Sequence, residues 1–147
     1  METVTMGRVV TEATVENLED LYEVKTGRRR AEDVRRVIVS DALVNTGTTS
    51  LSIPVSLVQQ LGISPVSRKR TLTAAGPREA NLLEAVKLTI MGRSMSIDAV
   101  EAPDGVPVRN GQIPLEFLDY VVDPRGQRPI GNPAHGGEQM FEMYVVR

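Results

Sequence analysis

The 147 residues include 17 basic and 19 acidic side chains, for a net charge of −2, and no cysteine. The length suits a single domain over the whole chain, and the balanced charge argues against nucleic acid as a partner because a polyanion is bound by a basic surface. The missing cysteine excludes disulfides, thiolate metal sites and cysteine nucleophiles, and the sequence has no signal peptide and no apolar run of about 20 residues, so we expect a cytoplasmic protein that makes no membrane contact.

The first part of the chain has the alternating apolar and polar pattern of β-strands. Residues 9–16 follow a period of two, residues 17–20 supply turn chemistry, and residues 21–24 can return as a second strand. We therefore predict a β-hairpin here. The β-branched run at 34–39 predicts another strand, which leads into the short apolar run at 42–44.

A short helix and a hairpin are predicted in the middle of the chain. Residues 54–61 share helical faces, Pro54 suits the first turn of a helix, and Gly62 is placed as its stop. Apolar residues then alternate with polar ones over 86–99, interrupted by turn residues at 91–93, which is typical of a β-hairpin.

The last third predicts a second short helix at 114–120, followed by turn residues at 123–126. We expect a final strand at 139–146. Because the strands outnumber the short helices and no long βαβ pattern is present, the predicted fold class is mostly β.

The turn residues Asn45, Thr46 and Gly47 end the apolar run at 42–44. On their own they are typical of an ordinary turn. The stretch 42–54 nevertheless resembles the active-site signature of the retropepsin-like aspartic proteases, in which an apolar strand runs into Asp-Thr-Gly, and the one mismatch is Asn45 at the catalytic position.

The order of elements downstream extends this resemblance. The family continues with a short helix, a flap hairpin, a second hairpin, an apolar-apolar-Gly element and another helix. Here residues 72–77 are similar to a flap tip, and residues 106–111 stand at the apolar-apolar-Gly element but carry Arg109 and Asn110. Residues 112–116 and the turn at 123–126 look like a bacterial branch of these proteases.

The resemblance implies a retropepsin-like β-barrel protomer, with one or two short helices, that completes its site as a homodimer on a peptide or protein substrate. It implies no cofactor and no metal. Its catalytic turn maps to Asn45, Thr46 and Gly47, and its substrate-binding residues map to Thr48, Ala74, Ala75, Gly76 and Arg109.

Three functions remain open from the sequence. The first is an aspartic endopeptidase whose catalytic aspartate has been replaced by Asn45 to trap an inactive form. Such a form is inactive because an asparagine has no group that titrates into a base. The second is a natural pseudoprotease that binds peptide or mediates dimerisation, which Arg109 and Asn110 favour. The third is a β-rich structural domain without a cleft.

Other catalytic groups are poorly supported. His135 is the single histidine, and no cysteine or second histidine can join it at a metal. The serines at 50, 52 and 56 lack a nucleophile-elbow pattern. Asp41 and Asp123 are displaced along the chain from Asn45, so neither is expected to replace the missing aspartate.

Overall fold

The computed structural model describes residues 8–142 of the chain. Strands and short helices alternate along it. The strands are β1 (Val9–Asn17), β2 (Arg36–Val44), β3 (Leu51–Pro54), β4 (Pro65–Thr73), β5 (Gly76–Leu83), β6 (Val86–Ile90), β7 (Arg93–Ile97), β8 (Ala99–Ala102), β9 (Arg109–Asn110), β10 (Tyr120–Asp123) and β11 (Arg128–Gly131). The helices are α1 (Leu18–Lys25), α2 (Val55–Leu61) and α3 (Gln112–Phe117), with 3-10 turns at Ala31–Asp33 and Pro133–His135.

Nine of these strands form one mixed sheet, in the order β4-β5-β8-β3-β9-β2-β1-β6-β7, while β10 and β11 pair separately. The nine-stranded sheet curls into a half-barrel. The predicted mostly β fold class is confirmed. One apolar cluster fills the interior, and its fully enclosed members include Val15, Leu51, Ile53, Leu83, Leu88, Ile90 and Leu118.

The two apolar stretches predicted on either side of Ser40 form a single strand, β2. Against β1, its register advances by three residues between Val39 and Ala42 while β1 advances by two, so β2 carries one extra residue there. Such a bulge lets a strand keep its apolar face inward while the chain bends. The interruption in the pattern therefore marks a bulge within one strand.

The predicted strand at 21–24 is wrong, because these residues lie in helix α1. Asn17 caps this helix, with its side-chain oxygen accepting the backbone N–H of Asp20 at 2.9 Å. Glu19 and Asp20 in the first turn and Lys25 in the last complement the helix dipole. The predicted N-terminal hairpin is therefore absent, and β1 pairs instead with β2 and β6.

The helix and hairpin predicted in the middle of the chain are confirmed. Helix α2 begins after Pro54, which ends β3, and stops at Gly62, whose φ of 66° is left-handed. Strands β6 and β7 pair through a turn at Met91 and Gly92. Both predictions succeeded because their signals are local to the chain.

The third helix and the last strand depart from prediction. Helix α3 begins at Gln112, earlier than the expected 114–120. Residues 139–142 of the predicted last strand are not in a strand, and the rest of that strand lies outside the described residues. No helix in the described part of the chain is both long and apolar enough to cross a membrane.

The short strand β9 lies between two strands from the first half of the chain. It runs parallel to β2, with Leu43 opposite Arg109, and antiparallel to β3, with Ser52 opposite Arg109. Because β2 and β3 flank the turn at Asn45, β9 closes the sheet directly beneath that turn. This arrangement sets the geometry of the candidate site.

Candidate active site

Asn45 stands at the end of the buried strand β2, where the backbone leaves the sheet. Its backbone N–H donates to the carbonyl of Asn110 at 2.9 Å, which ties the turn to β9. Its side-chain oxygen Oδ1 accepts the backbone N–H of Gly47 at 2.9 Å. The half-buried side chain is thus held by the turn that it begins.

The residues after the turn are fixed by backbone contacts. The carbonyl of Asn45 accepts the N–H of Thr48 at 3.2 Å and its hydroxyl at 3.1 Å. The loop 48–50 then accepts three N–H groups from the start of α3. These donors are Gly111 to Ser50 at 3.0 Å, Gln112 to Thr48 at 2.7 Å and Ile113 to Thr49 at 3.0 Å.

Gly111 is required for this close approach. A Cβ atom at Gly111 would lie 2.6 Å from the carbonyl oxygen of Thr48, a backbone atom that cannot rotate away. Any larger residue would push α3 away from the loop. The turn and the first residues of α3 therefore form one packed unit, in which the direction of the Asn45 side chain is set by backbone rather than by flexible contacts.

An open cleft separates the loop 48–50 from the β4–β5 hairpin. It comprises two cavities of about 710 Å³ and about 470 Å³. The residues that line both are Thr48, Thr49, Ser50, Thr71, Leu72 and Val100. Gly47 and Ile113 line the larger cavity, whereas Arg109 lines the smaller one. The turn thus opens into a groove between the loop 48–50 and the β4–β5 hairpin.

Arg109 and Asn110 differ in environment although they are neighbours on β9. Asn110 is completely buried, and neither its Nδ2 nor its Oδ1 has a hydrogen-bond partner among the described residues. Arg109 is half-buried and points to the cavity side, with its Nε enclosed and likewise without a partner in this part of the chain. Both positions are chemically unusual for the centre of a sheet.

The carboxylates near the turn by sequence are placed elsewhere. Asp41 is exposed on β2, and Asp123 accepts the backbone N–H of Arg125 at the end of β10. Neither lines the cleft. Within residues 8–142, no group of three His, Asp or Glu side chains is arranged to hold a metal ion.

His135 has a partner that the sequence analysis missed. Its Nδ1 lies 2.6 Å from the buried Asp119 carboxylate, which also accepts the backbone N–H of Met140 at 3.0 Å. The hydrogen bond with Asp119 raises the pKa of His135, and the same bond lowers the pKa of Asp119. This pair holds the chain after β11 in place and contacts no serine among the described residues.

No protein-family model and no curated protein matches this sequence. Among solved structures, the fold is similar to that of the EIAV protease in complex with the inhibitor HBY-793. The two are 13% identical with a TM-score of 0.48, over 80% of this chain and 94% of that chain. At this level, the similarity identifies neither an activity nor a substrate for the protein.

The structure brings together most of the residues that the sequence analysis placed at the site. Asn45, Thr46 and Gly47 form the turn, with Thr46 exposed at its tip, and Thr48 and Arg109 line the adjacent cleft. The predicted flap residues behave differently. Ala74, Ala75 and Gly76 lie at the end of the β4–β5 hairpin and line neither cavity.

Thr71, Leu72 and Ile113 are among the cleft residues that the sequence analysis did not assign to substrate binding, although Leu72 belongs to the predicted flap tip. Thr71 and Leu72 of β4 face the loop 48–50, and Ile113 enters the larger cavity from α3. Leu72 is 86% exposed and Ile113 52% exposed, although both are large and apolar. An apolar side chain next to a predicted turn or helix start is the signal that indicates such residues, but it is shared by many surface positions.

Proposed function

We propose that the whole chain acts as one protomer of a homodimeric, retropepsin-like aspartic endopeptidase whose catalytic position is occupied by Asn45. The observation that carries the proposal is the placement of the Asn45 side chain. It is fixed at the end of a buried strand by the Gly47 N–H, beside a cleft that the β4–β5 hairpin lines.

An aspartate would fit this position without rearrangement. Its carboxylate oxygen would take the place of Asn45 Oδ1 and accept the same Gly47 N–H, which lies 2.9 Å away. A hydrogen bond to the ionised form lowers the pKa of a carboxyl group. A second carboxylate close by would oppose this lowering of the pKa, because two like charges repel each other. The two groups would then share one proton.

The chemistry of peptide cleavage needs both members of such a pair. The ionised carboxylate takes a proton from water as the water oxygen attacks the peptide carbonyl carbon, and the protonated carboxyl donates its proton to the developing oxyanion. The carboxyl that took the water proton then donates it to the nitrogen, the other carboxylate takes a proton back from a hydroxyl of the tetrahedral intermediate, and the C–N bond breaks as the carbonyl re-forms. Asn45 lacks the base, so the present form should bind peptide without cutting it.

The proposal requires a second copy of the chain. A single protomer contributes one side chain at position 45, and Thr46 stands exposed at the tip of the turn. A two-fold axis beside Thr46 would bring both turns together and close two half-clefts into one. The exposed tip and the open cleft support this arrangement.

The test is cleavage of a broad peptide library by the Asn45→Asp variant. We expect it to cut peptides at least about a hundredfold faster than the parent chain, the lower range for acid-base catalysis, with an acidic to near-neutral optimum. An inhibitor that mimics the tetrahedral intermediate should block the reaction. Gln60→Glu adds a carboxylate on the exposed side of α2 and should cut nothing. A folded, dimeric Asn45→Asp variant that neither cuts nor binds the inhibitor would rule the protease out.

A natural pseudoprotease is the second candidate, and Arg109 and Asn110 favour it. These two polar side chains lie at the centre of the sheet, and their buried atoms have no hydrogen-bond partner in residues 8–142. Burying them reduces the stability of the fold, and peptide cleavage does not require it. This candidate predicts that the parent chain binds peptides while Asn45→Asp, although folded and dimeric, cuts none.

A further inference from the structure

Arg109 lies in the cleft and has no ion-pair partner among residues 8–142. It is on β9, opposite Leu43 on one side and Ser52 on the other. Successive residues of a strand point to opposite faces. Because Asn110 is buried in the core, Arg109 faces away from the core and into the smaller cavity, which it lines.

The guanidinium of Arg109 is partly enclosed and partly accessible. Its Nε is buried without a hydrogen-bond partner in the described residues, whereas the residue as a whole is only half-buried. No carboxylate of the described chain lies within 4.0 Å of it, unlike Arg35, whose guanidinium contacts Asp20 at 2.8 Å. A desolvated cation without a counterion is costly unless a ligand supplies the negative charge.

The acidic residues around the same cavity are engaged elsewhere. Glu79 pairs with Arg68 at 3.5 Å, and Glu101 accepts a hydrogen bond from Asn81 at 3.1 Å. They do not neutralise Arg109, but their charge discourages a doubly charged ligand such as a phosphate. A singly charged carboxylate fits one guanidinium best.

We propose that Arg109 binds a carboxylate of the peptide in the cleft and thereby makes the protein selective for acidic peptides. This inference rests on the proposed function, because it assumes that the cleft holds a peptide. The terminal nitrogens of the guanidinium donate to the two carboxylate oxygens. In a homodimer, each protomer supplies one Arg109, so the preferred peptide carries an acidic group on either side of its centre.

The carboxylate has two possible sources, an Asp or Glu side chain or the free C-terminus of the peptide. Both present the same planar anion to the guanidinium. Peptides with a blocked C-terminus and an internal Glu isolate the first source. Peptides with a free C-terminus and no acidic side chain isolate the second.

The experiment measures binding of such peptides to the parent chain, which keeps them intact. The probes are octapeptides that carry Glu or Gln at each position in turn, with the C-terminus amidated or free. We expect a carboxylate at the preferred position to bind about tenfold or more tightly than its neutral counterpart, the range for hydrogen bonds between charged groups. Arg109→Gln should abolish that preference, and Arg109→Lys should retain part of it.

Arg78→Gln is the matched control, because Arg78 lines the same cavity from the β5 side. It should leave the preference for the carboxylate unchanged. If Arg109→Gln and Arg78→Gln lose the preference for the carboxylate to the same extent, the preference comes from the general charge of the cleft. That result would overturn the assignment to Arg109. The comparison of Glu with Gln peptides in the parent chain needs no variant, so it stands even if Arg109→Gln fails to fold.

The outcomes separate this inference from the proposed function. Equal binding of acidic and neutral peptides by the parent chain would overturn the role of Arg109 and leave a peptide-binding cleft. A parent chain that binds none of the peptides, together with an Asn45→Asp variant that binds no inhibitor, would overturn both.

Discussion

Asn110 is a polar side chain enclosed in an otherwise apolar part of the sheet. Its neighbours across the strands are Val44 and Leu51, and its amide has no hydrogen-bond partner among the described residues. A buried polar group without a partner costs about 1–3 kcal/mol. We therefore expect Asn110→Val to raise the free energy of unfolding by about 1 kcal/mol, measured by urea denaturation.

Asn81→Val provides the comparison for this variant. Asn81 is half-buried and its amide donates to Glu101 at 3.1 Å. Removing this amide should therefore not raise the free energy of unfolding. A loss of stability in Asn110→Val would mean that the buried amide is satisfied in solution. It would also remove one reason to favour the pseudoprotease.

Asp20 is a second buried polar residue, and it is fully paired. The guanidinium of Arg35 donates to its two carboxylate oxygens at 2.9 Å and 2.8 Å, and the backbone N–H of Arg35 donates at 2.9 Å. The side-chain bond with Arg35 lowers the pKa of Asp20 from 3.8 to about 2, against the opposing effect of burial. The pair joins α1 to the chain that enters β2.

The depressed pKa of Asp20 makes this contribution to stability dependent on pH. The contribution of Asp20 to stability is complete above pH 3.8, which is the pKa of an unperturbed aspartate. It is lost as the pH falls toward about 2. We expect the free energy of unfolding of the parent chain to exceed that of Asp20→Asn by at least about 2 kcal/mol near neutral pH. This difference should narrow below about pH 4. Urea denaturation over this pH range measures it.

The control is Asp33→Asn, which removes an exposed ion pair with Arg30. Asp33→Asn should lower the free energy of unfolding by less than about 1 kcal/mol at any pH. If the gap between the parent chain and Asp20→Asn does not change with pH, the carboxylate of Asp20 does not titrate as the structure indicates.

At the scale of whole elements, the residues that bound α2 predicted it correctly, whereas the short alternating run at 21–24 did not predict α1. Pro54 and Gly62 mark the limits of α2 because their effect depends only on the adjacent backbone. The run at 21–24 has too few residues to separate a strand from a helix, and the Asn17 cap decided in favour of α1. Capping residues deserve more weight than alternation in such short runs.

The candidate site was predicted only in part for the same reason. The turn at Asn45 is recognisable from three consecutive residues. The strand that supports it, β9, is two residues long and has no periodic pattern. Its position between β2 and β3 depends on tertiary pairing, so the sequence could place Arg109 and Asn110 beneath the turn or in the cleft but not decide which of them is buried.

The β4–β5 hairpin should be the most easily opened element of the sheet. Nearly all of β4 is exposed, and the hairpin joins the other strands through a single register pair, Leu82 with Val100. We expect its amides at 69–80 to exchange much faster than those of the buried strand β6, and to slow when a peptide or inhibitor binds. Hydrogen exchange followed by mass spectrometry measures both.

Strand β6 is the internal reference for that measurement, because Val86, Leu88 and Ile90 are fully buried. Its exchange should not change on binding. Equal protection of the hairpin and β6 in the free protein, with no change on adding ligand, would contradict a covering role for the hairpin.

At the scale of the whole molecule, we predict a homodimer at micromolar concentration. The protomer mass is 16.1 kDa, so sedimentation equilibrium or light scattering should give twice that value. The proposed shared site needs both turns, since one protomer offers a single copy of the turn. A monomer that stays monomeric when peptide is added would contradict a shared site.

The position of β9 also bears on the order in which the protein is made. Its partners Leu43 and Ser52 leave the ribosome early, whereas Arg109 and Asn110 emerge only after the β4–β5 and β6–β7 hairpins. Pairings between distant residues form slowly because a long loop must close first. The turn at Asn45 therefore lacks its support until β9 has been synthesised, and a nascent chain that stops before β9 has no completed groove with which to engage other proteins.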